Sequence, residues 1–261
     1  MITSVLISLS DRKAKGLERF DAENKLSRLL TALGYDVLGI HILGEQATSL
    51  IGRDILEQAK LIMIVGGVGN KILLEKLGNL YGLKIVVNDN ALSLIQSRIF
   101  EISQDLKKAY SKEELKKYEK YSLTLEGAYI LPNSKGIIPG YFVMIEDKCY
   151  IVLLPKGFPN IRSILEEGLE YYLRNITGFQ FSTSINIKVE ARNDEEVYTL
   201  LQALNKMQSI YVDNLCKKKN YEITVKIFSN TPEDLDNLLN RVKDIIADIS
   251  KKLGIKISST L

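Results

Sequence analysis

Residues 61–78, LIMIVGGVGNKILLEKLG, set the tightest limit on what this chain can fold into. Five apolar residues in a row, Leu61 to Val65, do not suit a strand with one wet face; they call for burial on both faces, as in a parallel sheet covered by helices. Gly66, Gly67 and Gly69 then interrupt the run, and the leucines that follow at helical spacing begin a helix. A strand that passes through a glycine turn into a helix is how anion sites are built. The helix start offers free N–H groups, and glycine lets a phosphate come close. By itself the turn matches neither GxGxxG nor a P-loop ending in GK[ST], and a purely structural role for the glycines explains it as well.

The same texture extends on both sides. SVLISLS (4–10), YDVLGIHILG (35–44) and KIVVN (84–88) read as strands, and ENKLSRLLTALG (23–34), SLIGRDILEQA (49–59) and KILLEKLGNLYG (71–82) as helices. Strands alternating with helices predict an α/β domain on a parallel sheet. Residues 91–121, rich in charge at helical spacing, read as a solvated pair of helices. The stretch from Gly127 to Leu173 reads as turn, strand, hairpin through Glu146-Asp147-Lys148, strand, loop and helix. From Thr183 the order becomes strand, helix, strand, strand, long helix, a small α+β module of βαββα type. Thr231 suits its last N-cap, Pro232 the first helical position, and Glu233 and Asp234 the positive end of the helix dipole. A boundary near Phe181 separates the two textures, giving domains 1–180 and 181–261.

Composition removes several chemistries. The only histidine is His41, set among apolar strand residues and read as a packing residue, so no histidine-based triad is available. Cys149 and Cys216 have no partners at zinc spacing. The 35 basic and 32 acidic residues are interspersed, and the net charge of +3 points to neither nucleic acid nor a membrane surface. DNLCKKK (213–219) holds three consecutive lysines but no GxxG clamp, so nucleic-acid binding is not expected. No run approaches the ~18 apolar residues of a membrane span, and the start, MITSVLISLSDRKAKG, lacks a basic lead and a cleavage site, so a cytoplasmic location is expected.

Three separated segments, LIMIVGGVGNKILLEKLG, LPNSKGIIPG (131–140) and LLPKGFPNIRSILEE (153–167), together resemble the molybdopterin-binding MoaB/Mog-like domain, specifically the N-terminal part of CinA-type competence-damage-inducible proteins. The resemblance covers about residues 1–180, and the tail is similar to the KH-like module that follows in many relatives. It implies a doubly wound, mostly parallel α/β domain with its ligand at the C-terminal ends of the strands. It also implies a nucleotide or pterin ligand bearing phosphate, or hydrolysis of nucleotide pyrophosphates such as ADP-ribose or FAD with a divalent cation (Mg, Mn or Co), and a homo-oligomer. The amidase domain of longer relatives has no counterpart in this pattern, and no amidase activity is expected.

Departures from the family pattern shape the candidate site. Where relatives carry Pro-Thr after the glycines this chain has Asn70-Lys71, and where they carry paired aspartates it has Leu73 and Leu74, which cannot bind a cation. Asp11, Asp21 and Glu45 are the remaining candidate acids, and no metal ligand set can be assigned. The ligand-binding candidates are Gly66, Gly67, Gly69, Asn70, Lys71, Asn133, Gly136, Pro139, Gly140, Lys156 and Gly157. Asn70 can equally cap a helix, and Lys71 can simply be solvated. Asn133, Gly136, Pro139 and Gly140 would form the wall opposite the glycine turn, or else only a rigid lead to a hairpin. The expected function is therefore binding of a phosphate-bearing nucleotide or pterin with weak or lost hydrolysis; a metal-dependent pyrophosphatase and an inactive oligomeric scaffold are the alternatives.

Overall fold

A computed structural model describes residues 2–105, 112–146, 149–191, 193–217 and 220–260, with backbone only at 105, 112–114, 215–217 and 220. Asp147 and Lys148 of the expected hairpin turn, and Lys218 and Lys219 of DNLCKKK, lie outside the described residues, as does the side chain of Cys216. The chain divides into two compact units, residues 1–27 with 36–171 and residues 28–35 with 172–261. Among the described residues no helix is long and apolar enough to cross a membrane.

The first unit opens with β1 (Ile2–Leu9), α1 (Asp11–Ala14), α2 (Asp21–Ala32), β2 (Tyr35–Leu43), α3 (Arg53–Gln58), β3 (Leu61–Val65) and α4 (Lys71–Tyr81). It continues with β4 (Ile85–Val87), α5 (Asp89–Asp105), α6 (Lys112–Glu119), β5 (Leu123–Leu125), β6 (Tyr129–Leu131), β7 (Gly140–Ile145), β8 (Cys149–Leu154) and α7 (Phe158–Ile164), while the end of α2, Tyr35 and most of α8 (Glu170–Thr177) count with the second unit. Six strands form one sheet in the order β2-β1-β3-β8-β7-β6. β3 lies parallel to β1, with Val5 beside Ile62, and parallel to β8, with Ile62 beside Ile151. The antiparallel strands β7 and β6 complete one edge. All five residues of β3 are buried, as an uninterrupted apolar run requires, and the α/β architecture on a mostly parallel sheet is the one expected.

Three local expectations are corrected. KIVVN forms a strand, but β4 pairs antiparallel with β5 in a separate two-stranded sheet and not with the main sheet. The helix expected over 49–59 is split into a 3₁₀ turn, Ala47–Leu50, and α3, with Gly52 extended as the N-cap between them. α5 is more than a solvated helix: Ala91, Ile95 and Ile99 are at most 3% exposed and form a buried stripe at helical spacing.

The second unit carries β9 (Phe181–Glu190), α9 (Asp194–Asn205), β10 (Ile210–Lys217), β11 (Asn220–Ser229), α10 (Pro232–Leu253) and β12 (Lys256–Thr260). The sheet is antiparallel with the order β10-β11-β9-β12. The expected βαββα series is present and gains a sixth element, β12, which makes it a split β-α-β-β-α-β arrangement. Ile185, Ile187 and Val189 of β9 point into the core while Ser184, Asn186, Lys188 and Glu190 stay exposed, the period of two that a half-buried strand needs. Thr231 caps α10 by accepting from the Asp234 N–H, with Pro232 at the first position, and Val242, Ile246 and Ile249 fill the buried side.

Candidate functional site

At the C-terminal end of β3 the chain turns through Gly66, whose φ of +77° is open to glycine and strained for other residues. A Cβ on Gly66 would lie 2.6 Å from the Leu9 carbonyl and 3.1 Å from Cε of Lys156, so β1 and the loop after β8 both press on this point. Gly67 faces the other way, where a Cβ would meet Ile64 and Leu73 of the core at 3.0–3.1 Å. Gly69, at φ +72°, lies against Tyr121, with 2.8 Å between its would-be Cβ and the ring. Each glycine thus answers a separate close approach.

Hydrogen bonds divide the turn's amides. The Gly66 N–H donates to the Leu154 carbonyl at 2.8 Å and the Asn70 N–H to the Gly67 carbonyl at 3.2 Å, so these two are committed internally. Asn70 caps α4, its side-chain oxygen accepting from the Leu73 N–H at 3.0 Å, and its amide donates to the Glu45 carbonyl at 3.2 Å. Both ends of that side chain are occupied by structure. Leu73 and Leu74, where the resemblance led paired acids to be expected, are fully buried against the sheet. A periodic apolar face, not a ligand set, is what these positions supply.

Beside the turn lies a cavity of about 720 Å³. Of the residues expected at the site, Glu45, Gly66, Gly69, Asn70, Lys71, Gly136 and Lys156 line it. Gly67, Asn133, Pro139, Gly140 and Gly157 do not, and neither do Asp11 and Asp21. Asn133 is 5% exposed and lies behind Gly136, donating to the Ile138 carbonyl at 2.8 Å and to the Asn160 side-chain oxygen at 3.2 Å. Gly140 starts β7, and a Cβ there would approach the Leu153 carbonyl at 3.1 Å. Gly157 is the N-cap of α7 at φ +87°. These residues shape the loops while others form the wall.

Several wall residues outside the expected set come from the segment read as solvated. Tyr118, Lys120 and Tyr121 line the cavity, as do Lys135 and Asn160. The two tyrosine rings sit 6.1 Å apart at 52°, and the Lys120 ammonium lies 5.0 Å from the Tyr121 ring centre. The backbone of Tyr121 is anchored from below, where the fully buried Tyr141 hydroxyl donates to its carbonyl at 2.6 Å. Burial pushes the Tyr141 phenol well above its ordinary range, keeping it a neutral donor. The two tyrosines flanking Glu119 and Lys120 in YEKY (118–121) were the available signal.

Charge on the wall is one-sided. Lys71, Lys120, Lys135 and Lys156 line the cavity with a single described carboxylate, Glu45; Lys156 pairs with Glu45, and Lys71 pairs outside the wall with Glu75 at 3.7 Å. The loop bearing Lys135 is held by Glu167, which accepts from the Ser134 N–H at 2.9 Å and the Ser134 hydroxyl at 2.6 Å, and also from Ser163. Partial desolvation raises the Glu167 pKa, but the bonds from Ser134 and Ser163 and the nearby Arg98 outweigh it and hold the carboxyl below its ordinary value.

The three candidate acids are not gathered. Asp11 accepts from the Glu45 N–H at 2.9 Å, Asp21 is exposed at the start of α2, and only Glu45 reaches the cavity. Among the described residues no three His, Cys, Asp or Glu side chains come together in a way that could hold a metal ion. A hard divalent cation takes several oxygen ligands, and this donor set does not fit one.

No known family profile matches the chain. The CinA-like protein of Thermosipho melanesiensis is 24% identical over 176 residues, covering 66% of this chain and 42% of that protein. A putative competence-damage inducible protein of Natranaerobius thermophilus is 23% identical over 247 residues, covering 92% of this chain and 58% of its own length. The chain thus spans about half the length of the curated relatives it matches. Among solved structures, the protein CinA of unknown function from Thermoplasma acidophilum superposes with a TM-score of 0.53 at 18% identity, over 66% of this chain and 97% of that one, a likeness of fold. The resemblance to CinA-type proteins that the three motifs carry is borne out.

Proposed function

We propose, with the likeness to CinA-like proteins as premise, that this chain binds a phosphate-bearing nucleotide or pterin in the cavity beside Gly66 and Gly69, with weak or lost hydrolysis. One observation carries the reading: a cavity of about 720 Å³ walled by two tyrosines and four lysines against a single acid. That size suits a small ligand, the rings suit a planar heterocycle and the ammonium groups suit phosphate. The amides of the glycine turn that are not committed internally would add neutral donors at the start of α4. Metal-dependent hydrolysis would need carboxylates to hold the cation, and Glu45 is the one carboxylate on the described wall.

The test is a thermal-shift titration of the full chain with ADP-ribose, FAD and a pterin phosphate, alongside an assay for AMP release from ADP-ribose in cobalt or manganese. At least one ligand should raise the melting temperature in a saturable way, since a ligand held only by the folded state stabilises it, with AMP release at background. No shift with any of the three would end the binding proposal. Rapid AMP release would replace it with the pyrophosphatase. Self-association and a cytoplasmic location complete the proposal, to be checked by light scattering and by cell fractionation; no role with nucleic acid or membranes is proposed.

A further inference from the structure

The cavity's lysines arrive from four separate segments. Lys71 comes from the first turn of α4, Lys120 from the 3₁₀ turn after α6, Lys135 from the loop between β6 and β7, and Lys156 from the loop after β8. Charges converging from four segments are set by the fold rather than by one basic stretch of sequence. A divalent ion placed among them would meet four ammonium groups, of which Lys71 is paired with Glu75 and Lys156 with Glu45, and would be offered one carboxylate that already has a partner.

Glu45 is held in a way that frees its carboxylate. Its N–H donates to Asp11 at 2.9 Å and its carbonyl accepts from Asn70 at 3.2 Å, so the backbone stays in place whatever the side chain does. The carboxylate rests on Lys156, whose own stem lies over Gly66. A phosphate oxygen and a carboxylate oxygen make the same demand on an ammonium; its three N–H donors can serve both, but two anions drawn to one ammonium repel each other, so the Glu45 carboxylate weakens the hold of Lys156 on a phosphate. Both side chains are about half exposed, at 51% for Lys156 and 44% for Glu45, which keeps the exchange accessible to solvent and ligand.

We infer that the site binds a diphosphate-bearing ligand without a divalent cation, the lysines neutralising the diphosphate and Glu45 competing with it for Lys156. This rests on the ligand-binding reading above and adds how the charge is met. The two ways of meeting it predict opposite signs for one substitution. If lysines neutralise the ligand, Glu45→Gln removes the competitor and tightens binding. If a cation does so, the same change removes its only acidic ligand on the described wall and weakens binding.

The experiment is calorimetric titration of ADP-ribose into the full chain, first in EDTA and then in manganese, for the wild type, Glu45→Gln and Lys120→Gln. Affinity should agree within about twofold between the two buffers, rise about threefold in Glu45→Gln and fall about threefold in Lys120→Gln, as expected for single exposed charges. It should also weaken as salt is raised. Binding that appears only with manganese, or a Glu45→Gln variant that binds more weakly while melting like the wild type, overturns the inference and leaves the site reading standing. Lys120 is exposed, so its variant tests the lysines even if Glu45→Gln folds poorly. ADP-ribose bound in neither buffer by any of the three proteins overturns the inference together with the site reading as applied to this ligand.

Discussion

Gly66 is the residue on which most of the site converges, because β1, the end of β8 and Lys156 all approach it. Gly66→Ala places a methyl group 2.6 Å from the Leu9 carbonyl at a φ of +77°. Strain of about 1–3 kcal/mol is expected from the backbone alone, with the clash in addition, read as a lower denaturation midpoint. Gly127, also at positive φ but with open space around it, should accept alanine with only the strain and no clash. Glu167 supplies a pH test. Its folded pKa is depressed, so its contribution to stability is present above the unfolded value of about 4.3 and is lost as pH falls through the lower, folded value. The melting temperature of wild type should therefore drop more steeply below about pH 4.3 than that of Glu167→Gln. Parallel curves would show that the Ser134 and Ser163 bonds contribute nothing through its charge.

At the scale of elements, α4 shows why an acid at position 73 would not create a metal site. The helix starts at Lys71 because Asn70 caps it, and Leu73, Leu74 and Leu77 bury one side against the sheet. Leu73 is fully buried and adjacent to Gly67. Leu73→Asp would place a carboxylate in that apolar contact with no cation within reach, a change expected to destabilise the fold by about 4 kcal/mol or more. Circular dichroism should show loss of cooperative folding, with no gain of manganese binding by calorimetry. A folded, metal-binding Leu73→Asp protein would mean that α4 can rotate its face toward the cavity. Helix α5 gives the complementary lesson, since its charged composition hides a stripe of Ala91, Ile95 and Ile99 that packs inward.

Across the whole molecule, two sheets with their own apolar clusters organise the chain. In the first, β3 has neighbours on both sides and no exposed residue, whereas β2 and β6 are edges. In the second, β9 and β11 are interior, and β12 is an edge strand with four of its five residues exposed. Opening free energy follows burial and pairing, so hydrogen exchange should be slowest in β3, faster in β2 and β6, and faster in β12 than in β9 or β11. Exchange in β3 as fast as in β6 would contradict the buried central strand.

Local physics made part of this legible from the residues alone. The all-apolar run of β3, the glycine turn, the Asn70 and Thr231 caps and the alternation in β9 each depend on neighbours within a few positions, so periodicity and side-chain chemistry suffice to read them. Tertiary structure decided which of these features meet. Tyr118, Lys120 and Tyr121 face a cavity only because Tyr141 anchors the Tyr121 backbone from β7, and Glu45 reaches Lys156 across more than a hundred residues of chain. β4 pairs with β5 and not with the main sheet, a choice of partner invisible in KIVVN itself. Spacing along the chain sets short-range structure; the charge balance of the site comes from long-range contacts that no local pattern encodes.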